Sequence, residues 1–290
     1  MRFLSLIALL GTFAFTQTSL AQSPTHPDIE YAKIGDRSLR LDLYRPRSGQ
    51  DKTPLIVWVH GGAWRSGSKK SVPVKHWLEH DFTIASVDYR LSGEAKFPAQ
   101  IHDIKAAIRF LRSRADDFGI DSERVAVAGS SAGGHLAALV GVSNGVTDLE
   151  GTVGQCQDFR SDVGATVSFY GASNLQSILS QSTQHGLSVR VPALQLLLGG
   201  QPDDVPDLAQ LASPVIHVDP SDPPLWLIHG DADPQMPIEQ SVELESVYRK
   251  HNLSVEFTVI AGGKHGGEKF YTDQNLSRLA VQLLRAFHSE

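Results

Sequence analysis

The segment Gly129-Ser130-Ser131-Ala132-Gly133 is where this sequence first suggests chemistry. A serine hydroxyl is a weak nucleophile, so it must stand clear of the backbone and meet a base at a fixed point. The apolar run Val125 to Ala128 reads as a strand and Ala132 onward as a helix, which puts Ser131 on the turn between them. Glycines must flank such a serine, because a Cβ at either position would strike the adjoining strand or helix. The pentapeptide alone is a weak signal. Ser130 competes for the role, and a turn used only for packing is the plain alternative.

Three further segments supply what that serine would need. His60-Gly61-Gly62-Ala63-Trp64 follows the apolar run Leu55 to Val59. Glycines after a strand let backbone N–H groups face a site, so the N–H of Gly62 and Ala63, with that of Ala132, are the expected donors to a developing oxyanion. His60 itself reads as a buried, hydrogen-bonding residue. His229-Gly230-Asp231-Ala232-Asp233-Pro234 closes the run Leu225 to Ile228, and Gly262-Gly263-Lys264-His265-Gly266 follows the strand ending at Ile260. An acid on one loop and a histidine on the next can meet over the C-terminal ends of parallel strands. His265 would take the serine proton, and a carboxylate would fix its tautomer and steady the imidazolium. The chemistry these residue types allow is acyl transfer.

The elements that must position them alternate along the chain. Leu39 to Tyr44 has the period of two of a half-exposed edge strand. Leu55 to Val59, Phe82 to Val87, Val125 to Ala128, Val163 to Phe169, Leu225 to Ile228 and Val255 to Ile260 read as further strands, several apolar enough to be covered on both faces. Between them, Ile101, Ile104, Ile108 and Leu111 mark one face of a helix, with Lys105, Arg109 and Arg112 turned away. Leu136 to Val142 reads as a buried helix, and 238–250 and 275–287 as amphipathic ones. The pattern predicts an α/β class, a mostly parallel twisted sheet with helices on both faces. Residues 172–223, rich in Gln, Ser and Pro, break the rhythm and read as an insertion over one end of the sheet.

The sequence resembles the α/β-hydrolase superfamily from about residue 29 to 288. Within it, it is similar to exported esterases of the acetylxylan and feruloyl type and to the hormone-sensitive-lipase-like group. The residues that carry the likeness are His60-Gly61-Gly62-Ala63-Trp64, Asp88-Tyr89-Arg90-Leu91, Phe97-Pro98-Ala99, Gly129 to His135, Ser213-Pro214, His229 to Asp233 and His265-Gly266. The chain order serine, acid, histidine is the one this superfamily uses. The resemblance places the acid on Asp233, with Asp231 in reserve. Ala63 stands where the lipase-like members have a third glycine, and Ala63-Trp64 favours the HGGxW branch. The resemblance implies a serine carboxylic-ester hydrolase acting on small or carbohydrate-linked esters without metal or organic cofactor. An aryl formamidase or peptidase with the same triad, a lipase, and a non-catalytic binding protein on the same fold are the competing readings.

The other residues offer less. A formal net charge of -6 argues against a nucleic-acid partner. Cys156 has no second cysteine in its own chain to pair with and no motif around it, so it reads as an incidental thiol. His76 and His80 are four apart, but Trp77 stands where a zinc-binding helix has glutamate, so no metal site is expected. Asp88 reads as a loop-holding residue, and Asp103 as a further position of the resemblance. Trp64 and Tyr170 are candidates to line an acyl or alcohol pocket, with core packing the alternative for each; Trp226 reads as core. Arg2, the apolar run Phe3 to Phe15 and Ser19-Leu20-Ala21 have the layout of a signal peptide cleaved after Ala21, too short to span a bilayer. A single domain, 22–290, secreted or periplasmic and not inserted in a membrane, is expected.

Overall fold

Continuous apolar runs can be buried only where both faces of a strand are covered, and the centre of the sheet meets that demand. The computed structural model describes residues 22–288, so the expected leader, 1–21, lies outside the described residues. The strands are β1 (His26–Ile34), β2 (Arg37–Tyr44), β3 (Thr53–Val59), β4 (Thr83–Val87), β5 (Ile120–Ser130), β6 (Ala165–Phe169), β7 (Leu225–Gly230) and β8 (Val255–Ile260). They form one sheet in the order β1-β2-β4-β3-β5-β6-β7-β8. The β1-β2 and β2-β4 pairs are antiparallel, and the rest are parallel. In β3, Leu55, Val57 and Val59 enter one apolar cluster while Ile56 and Trp58 enter the other. This is the alternation a pleated strand imposes.

One face carries α1 (Ala99–Ser113), α2 (Ala132–Gly141) and, beyond the insertion, α4 (Glu239–Lys250); the other carries α5 (Asp273–Ala286). The stretch 172–223 lies between β6 and β7 and is largely helical. It contains α3 (Gln184–Leu198) and the short helices Ile178–Gln181, Pro206–Leu211 and Pro214–His217. Thr183 Oγ1 donates to the carbonyl of Pro234 at 2.7 Å, which ties the insertion to the loop after β7.

Two expectations need correction. Leu39 to Tyr44 is not at the edge, because β1 lies outside it; Leu39, Leu41, Leu43 and Tyr44 are all buried. Even Asp42 is buried, accepting from Lys69 Nζ at 2.5 Å and from the Asp28 N–H at 2.8 Å. The basic residues of α1 are not solvated either. Lys105, Arg109 and Arg112 are buried beneath the 147–162 segment, where Glu150 pairs with the first two and Asp162 with the third. Opposite charges on a covering segment allow cations where their pattern alone predicts water.

Candidate active site

Ser131 sits between β5 and α2 with φ 54° and ψ -118°, a strained region for a residue with a side chain. Close packing enforces the turn. A Cβ on Gly129 would come within 2.3 Å of the Gly133 carbonyl oxygen, and one on Gly133 within 2.1 Å of the Val59 oxygen. Both obstacles are backbone, so neither can step aside. The Ser131 N–H donates to the Phe169 carbonyl at 2.9 Å, tying the turn to the end of β6.

From that turn a line of hydrogen bonds runs across the C-terminal ends of three strands. Ser131 Oγ is 2.8 Å from His265 Nε2, and His265 Nδ1 is 2.7 Å from Asp233 Oδ2. The other carboxylate oxygen of Asp233 accepts the N–H of Gln235 at 2.8 Å and of Met236 at 2.9 Å. Burial alone would raise the Asp233 pKa. Hydrogen bonds from His229, His265 and the Met236 N–H outweigh it and hold the carboxyl well below the usual range. An ionised Asp233 requires the proton on His265 Nδ1, leaving Nε2 to accept from the serine. Burial depresses the His265 pKa below the ordinary 6.5, against the pull of Asp233, so the imidazole is neutral at pH 7. Asp231 does a different job. Its Oδ1 accepts the Gly262 N–H at 2.7 Å and braces the loop that carries His265.

The loop after β3 faces the same cleft of about 440 Å³, which Gly62, Ala63, Ser131, Tyr170 and His265 help to line. Gly62 has φ 114°, and a Cβ there would meet the Ser66 carbonyl oxygen at 2.1 Å. Ala63 and Trp64 follow with φ 51° and 58°. The left-handed backbone at Ala63 is one that a glycine would adopt without strain. Ala132 opens α2, where backbone N–H groups lack partners within the helix. His60 is buried, its ring stacked on Tyr89 at 4.4 Å and its Nδ1 donating to the Gly61 carbonyl at 2.7 Å.

The two pocket candidates part company. Tyr170 lines the cleft, its ring edge-on to His265 at 4.9 Å and its hydroxyl 2.6 Å from that of Tyr271. Trp64 does not line it. It is fully buried, and its Nε1 donates to His135 Nδ1 at 3.0 Å. His135 in turn donates from Nε2 to the Ala212 carbonyl at 2.7 Å, and burial pushes its pKa down to about 4. A neutral imidazole with one fixed tautomer thus joins the loop after β3, the start of α2 and the insertion. Sequence reasoning also missed Arg65, Gln235 and, on α3, Val189 and Arg190, all of which line the cleft.

The remaining candidates lie elsewhere. His76 and His80 both bond Ser277 Oγ at 2.9 Å, and no group of His, Cys, Asp and Glu among the described residues could hold a metal ion. Cys156 is 3.2 Å from Ser113 Oγ in a separate cleft. Asp88 Oδ1 accepts the Lys69 N–H at 2.7 Å, which holds a loop, and Asp103 is paired with Arg90. Trp226 is buried. Among the described residues no helix is long and apolar enough to cross a membrane.

An eight-stranded, mostly parallel sheet flanked by helices, with a serine turn after β5, an acid after β7 and a histidine after β8, is the α/β-hydrolase fold. The chain belongs to the BD-FAE family, whose model matches residues 41–248. It is 30% identical to Esterase LipC of Mycobacterium tuberculosis over 80% of this chain and 57% of that protein. The chain spans about half the length of the curated relatives it matches. A truncated carbohydrate esterase from gut microbiota superposes with a TM-score of 0.84 at 31% identity, covering 91% of this chain and 96% of that one. The propionate-bound thermophilic esterase Est2 of Thermogutta terrifontis gives 0.73 at 26% identity, covering 90% and 94%.

Proposed function

We propose that the chain hydrolyses small or carbohydrate-linked carboxylic esters through an acyl-enzyme on Ser131. The observation that carries this reading is the line from Ser131 Oγ through His265 to Asp233, with bonds of 2.8 and 2.7 Å. In the first half-reaction Ser131 Oγ attacks the ester carbonyl carbon while His265 Nε2 takes its proton. The carbonyl oxygen becomes an oxyanion held by the N–H groups of Gly62, Ala63 and Ala132. Collapse expels the alkoxide, which leaves with the proton from His265. Water then attacks the acyl carbon by the same route, releasing the acid and restoring Ser131. Every group these steps need belongs to the chain.

The substrate class draws support from two neighbours: a carbohydrate esterase, and an esterase with a short acid, propionate, bound. We further propose that the leader at 1–21 exports the protein to the periplasm or the exterior, where acylated carbohydrate would be met; N-terminal sequencing of the exported protein checks it. The reaction is tested with esters from acetyl to long acyl, acetylated xylan, a feruloyl ester and an N-formyl aryl amine. Wild type is compared with Ser131→Ala and Ser130→Ala. The reading expects short-ester hydrolysis that Ser131→Ala abolishes. Turnover retained in Ser131→Ala and lost in Ser130→Ala would overturn the assignment, and a preference for long-chain emulsions would make it a lipase.

A further inference from the structure

The buried face of α3 consists of Gly186, Arg190, Ala193, Leu194, Leu197 and Leu198, so a cation stands in an apolar stripe. Arg190 is only 1% exposed, yet Nε, Nη1 and Nη2 are all without a hydrogen-bond partner among the described residues. A guanidinium carries five N–H donors, and removing it from water costs several kcal/mol unless an anion meets it. The buried arginines of α1 show the usual remedy, since Arg109 and Arg112 are each paired with a carboxylate. Arg190 has no such partner. Asp233 is in its electrostatic range, but that carboxylate is already held by His265 and two backbone N–H groups.

Its position suggests what the missing partner is. Arg190 lines the same cleft as Ser131 and His265, and Arg65 lines it too. No aspartate or glutamate is among the lining residues. In a chain of net charge -6, this cleft is therefore basic. Burial lowers the Arg190 pKa to about 10, which still leaves the group charged at neutral pH.

We infer that Arg190 seats a carboxylate carried by the ester substrate, which accepts paired N–H···O bonds from the guanidinium while the ester lies at Ser131. The inference rests on the esterase reading above and adds a substrate class: esters with a free acid on one side of the scissile bond. The carboxylate belongs either to the acyl part, as in a dicarboxylic half-ester, or to the alcohol part, as in an acylated uronic acid.

The test compares two pairs of substrates by pH-stat titration: monoethyl against diethyl succinate, and acetylated glucuronic acid against acetylated glucose. Wild type, Arg190→Lys and Arg190→Gln are measured at low and high salt. The expected result is a kcat/KM for the acid of one pair about 10- to 100-fold above that of its neutral partner. Arg190→Gln should bring that ratio to about one, and Arg190→Lys should retain part of it, since lysine keeps the charge without the fork. The pair that shows the effect identifies the side bearing the carboxylate. In parallel, succinate and glucuronate are titrated calorimetrically into Ser131→Ala, with and without Arg190→Gln; binding of one acid that needs Arg190 supports the inference without turnover. Neutral esters cleaved at least as well as their acids in both pairs, with neither acid bound, would overturn the inference while leaving the esterase reading intact. Failure of every ester in wild type would instead remove the esterase reading, and the titration would still decide whether Arg190 holds an acid.

Discussion

Replacing Trp64 by phenylalanine should destabilise the protein without altering which acyl group it prefers. The indole is 0% exposed and donates from Nε1 to His135 Nδ1 at 3.0 Å, while His135 Nε2 donates to Ala212 O at 2.7 Å. Phenylalanine keeps most of the ring but has no N–H. His135 must then leave Nδ1 unsatisfied, or move its proton there and leave the Ala212 carbonyl bare. A buried polar atom without a partner costs about 1–3 kcal/mol, and the void left by the smaller ring adds to this. A total of about 2–4 kcal/mol corresponds to a fall in Tm of about 3–7 °C for a chain of this size. Circular dichroism melts of Trp64→Phe, His135→Leu and the double variant close a cycle. Because removing both partners leaves fewer orphaned atoms than either single change implies, the double variant should cost about 1–2 kcal/mol less than the sum. Costs that add within about 0.5 kcal/mol would refute the coupling. So would a Trp64→Phe protein of unchanged Tm whose preference shifts between acetyl and butyryl esters, which would return the indole to the pocket.

Other expectations concern the site itself. Because burial lowers the His265 pKa and the base must be neutral to accept the serine proton, kcat/KM should rise with pH along a limb whose midpoint lies below 6.5 and then level off; a pH-rate profile with its limb above 7 contradicts this. Asp233→Asn should lower kcat by about 10³- to 10⁴-fold through the wrong imidazole tautomer, whereas Asp231→Asn, which removes only a loop brace, should cost less than about tenfold; steady-state kinetics on a short ester separates the two. Gly133→Ala, whose Cβ would lie 2.1 Å from a backbone oxygen, should lose more than about 3 kcal/mol in a denaturant melt.

The sequence made the centre of the molecule legible because periodicity and chemistry agree there. Apolar runs too long for a half-exposed strand place β3 and β5 to β7 in the interior, and three of the four candidate site segments follow one of them directly, the fourth following β8 at the edge. The serine and histidine singled out by residue type, and the acid that the resemblance places on Asp233, are the three that one line of hydrogen bonds joins. What escaped depends on contacts between distant residues. β1 starts at His26-Pro27-Asp28 and is mostly exposed, so it lacks an apolar signature and its neighbour β2 looked like an edge. Helix α3 contains Pro192, which obscures a helical pattern, and so Arg190 could not be placed on its buried face. Trp64 was ambiguous because only the fold brings His135, 71 positions away, to its indole nitrogen. The basic residues of α1 looked solvated because Glu150 and Asp162, which cover them, belong to a segment with only one four-residue helix, Thr147–Glu150, and no longer periodicity.

The central claim is that Ser131 is the nucleophile, and covalent labelling tests it most directly. Paraoxon is attacked by an activated serine, so the phosphoryl group it leaves marks the nucleophile. Wild-type protein treated with paraoxon should gain one diethylphosphoryl group, mapped by tandem mass spectrometry to Ser131, with loss of ester hydrolysis in step; Ser131→Ala should gain none. A label on Ser130, or full inactivation of a protein whose Ser131 stays unmodified, would contradict the account.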